Sequence, residues 1–260
     1  MGKFDYKKSL GQNFIKDNNI IDKIVKAANV DKDTLVIEVG PGAGSLSKKI
    51  IPEAGYAVLY EIDTRLKDIL DNELSGNDNY QIIFNDVLKQ NVNDDIDKFN
   101  YQKRYLVANL PYYITTPIIT KMIEEITPDK IVIMIQDEVA NRLSASVGTR
   151  DYGMITVLLS SRYNIKKLFK VSRHCFEPVP GVDSAVICLD KKDNISDIDM
   201  KGFEKFIKDA FQYKRKNLRN NLSNYDLEKI DNVLKEHGLS ISSRAEAVST
   251  ELFIELFKSL

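Results

Sequence analysis

The chain has 260 residues, 43% of them hydrophobic and 29% charged, with a formal net charge of −1. That composition suits one large core with a small appendage, and it excludes a polycation, so any nucleic-acid surface has to come from local clustering. Two cysteines, Cys175 and Cys188, exclude a disulfide framework and match no zinc spacing; they read as a buried thiol and a loop thiol.

In chain order, residues 1–20 are polar and read as an arm ahead of a helix over NNIIDKIVKAAN. The opening MGKFDYKKSLGQNF lacks an apolar signal core, and its Met-Gly start lacks the Ser or Thr that myristoylation needs. No stretch approaches 18 apolar residues, so a soluble protein of the reducing cytoplasm is expected, with no membrane role. TLVIEV (34–39), AVLYEI (57–62), QIIF (81–84), RYLVA (104–108) and KIVIMI (130–135) predict strands. These apolar runs are continuous rather than alternating, as strands buried on both faces should be. Between them SLSKKIIPEA, TRLKDILDNEL and TPIITKMIEEI carry helical spacing, with Ser45 or Thr64 as a cap. Such alternation predicts βαβ units and a parallel sheet.

After Gln136 come the helical stretches DEVANRLSA and GMITVLLSSRY, then two closing strands, IKKLFKV (165–171) and DSAVICL (183–189), joined by the Pro-rich FEPVPG. The polar KKDNISDIDM (191–200) reads as a linker. Beyond it KGFEKFIKDAFQYKRKNL, YDLEKIDNVLKEHG and TELFIELFKSL are helical patterns. The expected division is therefore residues 1–190 and a small helical domain at 191–260.

The chemistry gathers at strand ends. The first strand runs into EVGPGAG, whose Gly40, Gly42 and Gly44 allow positive φ and a close approach to a ligand; alone, such a loop is also a plain tight turn. Glu61 ends the second strand, where a carboxylate accepts ribose hydroxyls; by itself it also reads as a surface carboxylate. Asp86 follows the third strand, as an acceptor for an adenine amine or as a turn aspartate. Asn109, Leu110, Pro111 and Tyr112 follow the fourth. Four successive strand ends thus carry polar groups where open α/β sheets bind ligands.

This combination resembles the class I S-adenosylmethionine-dependent methyltransferases, a Rossmann-like, doubly wound, mostly parallel seven-stranded fold, and NLPY matches the (Asn/Asp/Ser)-x-Pro-Tyr motif of members that methylate exocyclic amines. The resemblance implies S-adenosyl-L-methionine as cofactor and no metal. An aryl amine is a weak nucleophile because its lone pair is delocalised. The Asn109 side-chain oxygen and the Leu110 carbonyl would accept its two N–H bonds, Pro111 would stiffen the acceptor pair, and Tyr112 would stack on the flipped base.

The stretches KKSLGQNFIKD (7–17), NLPYYITTPII, YGMITVLLSSRY, FEPVPGVDSAV and SRAEAVS resemble the KsgA (RsmA) family of small-subunit rRNA adenine dimethyltransferases along nearly the whole chain. The Erm 23S rRNA methyltransferases share QNF and the Asn-x-Pro-Tyr motif, but not SLG before QNF or VDSAV after the Pro-rich loop. The resemblance implies that Asn13 and Ile15 of the arm cover the cofactor together with Gly40, Gly42, Glu61, Asp86 and Asn109. Ile15 stands where Leu is usual, and Tyr113, where many members have Asn, is given no catalytic role. Phe176 matches a ring that stacks the target base, and reads equally as a core ring. The family's substrate is a pair of adjacent adenosines in the 3′-terminal hairpin loop of 16S rRNA, in the 30S subunit or its precursor. This chain is therefore expected to act in subunit biogenesis, as a monomer and without DNA.

In YKRKNLR (213–219), Lys214, Arg215, Lys216 and Arg219 gather charge for RNA, the alternative being a solvated helix face. Lys7, Lys8, Arg142 and Arg150 extend the patch. His174 and His237 match no catalytic pattern. The rival readings are an Erm-type enzyme, a non-catalytic small-subunit assembly factor, and a DNA adenine methyltransferase, which would need a recognition domain not seen here.

Overall fold

The computed structural model describes residues 13–260; Lys7 and Lys8 lie outside them. Two compact units divide the chain, one of residues 1–140 with 166–190, the other of 141–165 with 191–260.

The first unit is built on a seven-stranded sheet. Its strands are β1 (Thr34–Val39), β2 (Tyr56–Glu61), β3 (Tyr80–Phe84), β4 (Lys103–Asn109), β5 (Lys130–Gln136), β6 (Tyr163–Val171) and β7 (Ser184–Lys191). Their order is β3-β2-β1-β4-β5-β7-β6. The pairs β1–β2, β2–β3, β1–β4 and β4–β5 are parallel, and β5–β7 is antiparallel. All six residues of β1 are buried, as its unbroken apolar run requires of a central strand. The order reverses between β1 and β4, which opens a crevice beyond their carboxyl ends.

Helix Asn18–Ala28 turns Ile20, Ile21, Ile24 and Ala28 inward and is capped by the Asp17 side chain on Asn19 N–H. Two expected caps are corrected. The helix after the glycine loop is only Ser47–Ile50 and has no side-chain cap, so Ser45 does not act as one. Asp63, not Thr64, caps the turn at Thr64–Leu66.

The second unit is helical. Helices Met200–Ala210, Leu227–Glu236 and Thr250–Ser259 bury Phe203, Phe206, Ile230, Leu234, Phe253 and Leu256. A boundary falls at 190/191 as expected, but the division is corrected for residues 141–165, which belong here. Tyr152 and Val157 are members of this core, and the Tyr152 hydroxyl donates to the Val248 carbonyl at 3.0 Å. The apolar face of Met154–Ser160 is satisfied by these helices.

The run KGFEKFIKDAFQYKRKNL is not one helix. Helix Met200–Ala210 stops because the Asn221 side-chain amide donates to the carbonyls of Ala210 and Tyr213, at 2.7 and 3.3 Å. Lys214, Arg215 and Lys216 therefore sit in turns, and Arg219 in the short helix Leu218–Asn221; all four side chains are exposed.

Phe206 packs edge-on against Tyr225 and Phe253 and tilted against Phe257, at centroid distances of 5.3, 6.3 and 5.8 Å. Phe206→Ala is expected to cost about 3–5 kcal/mol, the range for emptying an aromatic core site. Hydrogen exchange checks this as a loss of amide protection in Met200–Ala210 and Thr250–Ser259.

Candidate active site at the carboxyl ends of the strands

A cavity of about 950 Å³, open to solvent, lies beyond the strand ends of the first unit. It is lined by the glycine loop, Glu38 and Glu61, Asn85, the segment Asn109–Ile114 and the arm residues Asn13–Ile15.

Gly40, Gly42 and Gly44 have φ of +73°, +59° and +80°, the left-handed region in which a side chain is strained. Gly42 is also limited by space, since a Cβ there would stand 2.6 Å from Cε1 of Phe14. The loop lies under the arm's aromatic ring. Phe14 was not among the expected site residues, although QNF carries it; Asn13 and Ile15, which were, both border the cavity.

The arm is held by a two-stranded antiparallel pair, Phe14 opposite Glu177 and Ile15 opposite Phe176. Lys16 N–H donates to the Cys175 carbonyl at 2.9 Å, and the Lys16 ammonium pairs with the Glu177 carboxylate. Phe176 is corrected here. Its side chain is wholly buried in the core and does not line the cavity, because its strand pairing with Ile15 turns the ring inward.

Glu61 is buried, and its two oxygens accept from Gly42 N–H at 3.0 Å and Asp63 N–H at 2.9 Å. These bonds fix the carboxylate, and each oxygen keeps a lone pair for a ligand hydroxyl. Burial raises its pKa, against the pull of the backbone donors. Glu38 in β1, absent from the expected set, is the second acid of the cavity. It accepts from the Ser47 hydroxyl at 2.7 Å, and burial, aided by the charge of Glu61, pushes its pKa up to about 8. A carboxyl inside an otherwise continuous apolar run was the signal that could have found it, since such burial needs a reason.

Asp86 does not line the cavity; its neighbours Asn85 and Val87 do. One Asp86 oxygen caps the turn Val87–Lys89 by accepting from Leu88 N–H at 3.0 Å. Tyr113 is 56% exposed at the rim. Its phenol pKa is raised by partial burial and then by the carboxylates of Asp86 and Glu61.

The segment Asn109–Tyr112 is braced on every side. Asn109 Nδ2 donates to the Asn13 carbonyl at 3.1 Å, and Leu110 N–H to the Met134 carbonyl at 3.1 Å. The Pro111 carbonyl accepts from the Thr115 hydroxyl and from Ile114 N–H. The Tyr112 hydroxyl bonds to the Ser184 hydroxyl at 2.5 Å. Since Nδ2 of Asn109 is engaged by the arm, Oδ1 is the atom left over. Among the described residues no donor reaches Oδ1 of Asn109 or the carbonyl of Leu110. Two adjacent acceptors stand unused at the end of β4.

Such a sheet, with a glycine loop after β1, a carboxylate closing β2 and Asn-Leu-Pro-Tyr after β4, defines a class I S-adenosylmethionine-dependent methyltransferase. The cavity fits that cofactor: Gly42 admits backbone close to a ligand, Glu61 offers lone pairs to a diol, and its buried carboxylate favours a cation.

A family model described as ribosomal RNA adenine dimethylase matches residues 3–260. The ribosomal RNA small subunit methyltransferase A of Pediococcus pentosaceus is 42% identical over 96% of this chain and 88% of its own. The protein of the same name from Clostridium acetobutylicum is 41% identical over 97% and 93%. Among solved structures, a dimethyladenosine transferase from Plasmodium falciparum superposes with a TM-score of 0.80 at 25% identity, covering 94% of this chain and 95% of its own. The 23S rRNA methyltransferase ErmE superposes at 0.76 and 27%, covering 95% and 99%. The chain belongs to the ribosomal RNA adenine dimethylase family.

Among the described residues no group of three or more His, Cys, Asp or Glu side chains could hold a metal ion, and no helix is long and apolar enough to cross a membrane.

Gly42→Ala is expected to strain the loop and lift Phe14, weakening S-adenosylmethionine binding by about tenfold or more, as 1.4 kcal/mol does; titration calorimetry checks it. Glu38 generates a pH prediction. Its folded pKa lies above the ordinary carboxyl value of 4.5, so the folded state keeps a proton that the unfolded chain loses. Its contribution to stability therefore falls as pH rises from about 4.5 to about 8. Glu38→Gln should remove that fall: relative to wild type, the variant's denaturant midpoint rises steadily from pH 5 to pH 8.

Proposed function

We propose that the protein transfers methyl groups from S-adenosylmethionine to the exocyclic N6 of two adjacent adenosines in the 3′-terminal hairpin loop of 16S rRNA, two to each base. It acts as a monomer in the cytoplasm on the 30S subunit or its precursor. The observation that carries this reading is the pair of unused acceptors, Asn109 Oδ1 and the Leu110 carbonyl, on residues whose own donors, Asn109 Nδ2 and Leu110 N–H, are each tied at 3.1 Å to a backbone carbonyl. An adenine amine has two N–H bonds, and two acceptors held in place draw them into the plane that frees the nitrogen lone pair. Positioning and electrostatics then carry most of the rate.

The cofactor, when bound, supplies an electrophilic methyl on a sulfonium. The residues that would hold it are Gly40 and Gly42 by their backbone, Glu61 at the ribose and Asn13 and Ile15 from the arm, with Asn85, rather than Asp86, lining the cavity after β3. The Glu61 carboxylate gives the cavity its preference for positive charge. Tyr112 offers a ring for the base to stack on. After one transfer the amine keeps one N–H, enough for one of the two acceptors, so the monomethyl base still binds for the second. The amine proton leaves to water, and no side chain need act as base.

The relatives named for the small subunit, at 41–42% identity, support that target over the large-subunit target of the more distant ErmE. Exposed Lys214, Arg215, Lys216 and Arg219, with Arg142 and Arg150 in the same helical unit, support an RNA-binding role for it.

The test uses methyl-labelled S-adenosylmethionine with unmethylated 30S subunits and, in parallel, 50S precursors. Dimethyladenine at two adjacent 3′-end positions of 16S rRNA is expected, and label on 23S rRNA overturns the reading. Asn109→Ala should lower kcat by about 100-fold or more, comparable to removing a transition-state hydrogen-bonding group elsewhere, while 30S binding persists. Full activity of that variant rules out the acceptor role.

A further inference from the structure

We propose that Ser184 is a positioning residue for methyl transfer, its buried hydroxyl holding the Tyr112 ring at the angle on which the target adenine stacks. The proposal rests on Tyr112 being the stacking surface.

Ser184 opens β7, and Tyr112 follows β4. Strand β5 separates the two in the sheet, so their bond reaches across the end of β5, where Gln136 pairs with Ser184. Ser184 is fully buried at the head of the run Ser184–Lys191, whose next five residues are apolar and buried. A hydroxyl there costs free energy unless it is bonded. Among the described residues its side chain has one hydrogen bond, the 2.5 Å contact with the Tyr112 phenol. Alanine would fill the site at less cost, which points to the bond as the reason for serine.

A tyrosine ring has two rotatable bonds. Tying its far end to a fixed point removes the freedom of the first, and the preference of the phenol O–H for the ring plane biases the second toward one plane. Ser184 is such a point. Its neighbour Asp183 accepts from Arg173 N–H at 3.1 Å, pairs with Lys170 at 3.0 Å, and gives its carbonyl to Asp137 N–H at 3.0 Å. These contacts hold the Asp183 carboxyl below its usual pKa, so the brace persists across neutral pH. Burial pushes the Tyr112 phenol pKa up, and the phenol stays protonated as a partner.

The test compares Ser184→Ala, Tyr112→Phe, the double variant and Tyr112→Ala in the full-length protein. Single-turnover methylation of unmethylated 30S subunits and S-adenosylmethionine affinity are measured for each. Ser184→Ala and Tyr112→Phe remove the same bond from its two ends. Each is expected to slow transfer by about tenfold, within the range of a weakened base stack. The double variant should be no slower than either, because one bond is lost in all three. Cofactor affinity should stay within about twofold of wild type, which a general loosening of the site would not allow. If Ser184→Ala does not fold, Tyr112→Phe still removes the bond without opening the core. Wild-type rates for Ser184→Ala and Tyr112→Phe, with loss in Tyr112→Ala, overturn the proposal and leave the stacking reading standing. A wild-type rate for Tyr112→Ala overturns the stacking reading itself. Additive losses in the double variant also overturn the shared-bond role.

Discussion

Backbone and amide groups in a protein are satisfied by default, so the groups that remain unsatisfied carry information. At the end of β4 the accounting is nearly closed. The arm takes the Asn109 amino group, β5 takes Leu110 N–H, Thr115 takes the Pro111 carbonyl and Ser184 takes the Tyr112 phenol. What is left over is a pair of oxygens with the polarity an amine substrate needs. Each brace comes from a different part of the first unit, so sheet, arm and loop all serve to hold two acceptors still.

The same unit treats charge in the opposite way. Glu38 and Glu61 are buried within one cavity, and the charge of Glu61 helps to keep the Glu38 carboxyl protonated at neutral pH. Burying the Glu61 carboxylate costs free energy that a cation sharing the space offsets. The cavity is therefore selective before any contact with RNA. It favours a ligand that brings positive charge, and the Phe14 ring over Gly42 closes the glycine loop from above.

Much of this was legible in the sequence because it depends on local pattern. Central strands buried on both faces leave continuous apolar runs, and the strand-end residues Gly40, Glu61 and Asn109 fall where those runs stop. Partnerships made across long separations were not legible. Residues 141–165 join the helical unit through Tyr152 and Val248, 96 positions apart. The basic run 213–219 looks helical until the Asn221 amide ends the helix at Ala210. Phe176 reads equally as a site ring and a core ring, and only the fold, which pairs it with Ile15 and buries it, decides for the core. Ser184 stands in a quoted motif, yet only the fold brings its hydroxyl to Tyr112.

The pairing of the arm with residues 176 and 177 also imposes an order in time. The arm leaves the ribosome first, and its partner strand is made more than 150 residues later. At about 5–20 residues per second, the nascent chain spends several seconds or more with β1 to β4 complete and no clasp for its beginning. The amide of Asn109 gains its orienting contact with Asn13 only once that clasp forms. An rRNA methyltransferase thus acquires its oriented acceptor only once residue 177 is made, after strands β1 to β6 and before β7.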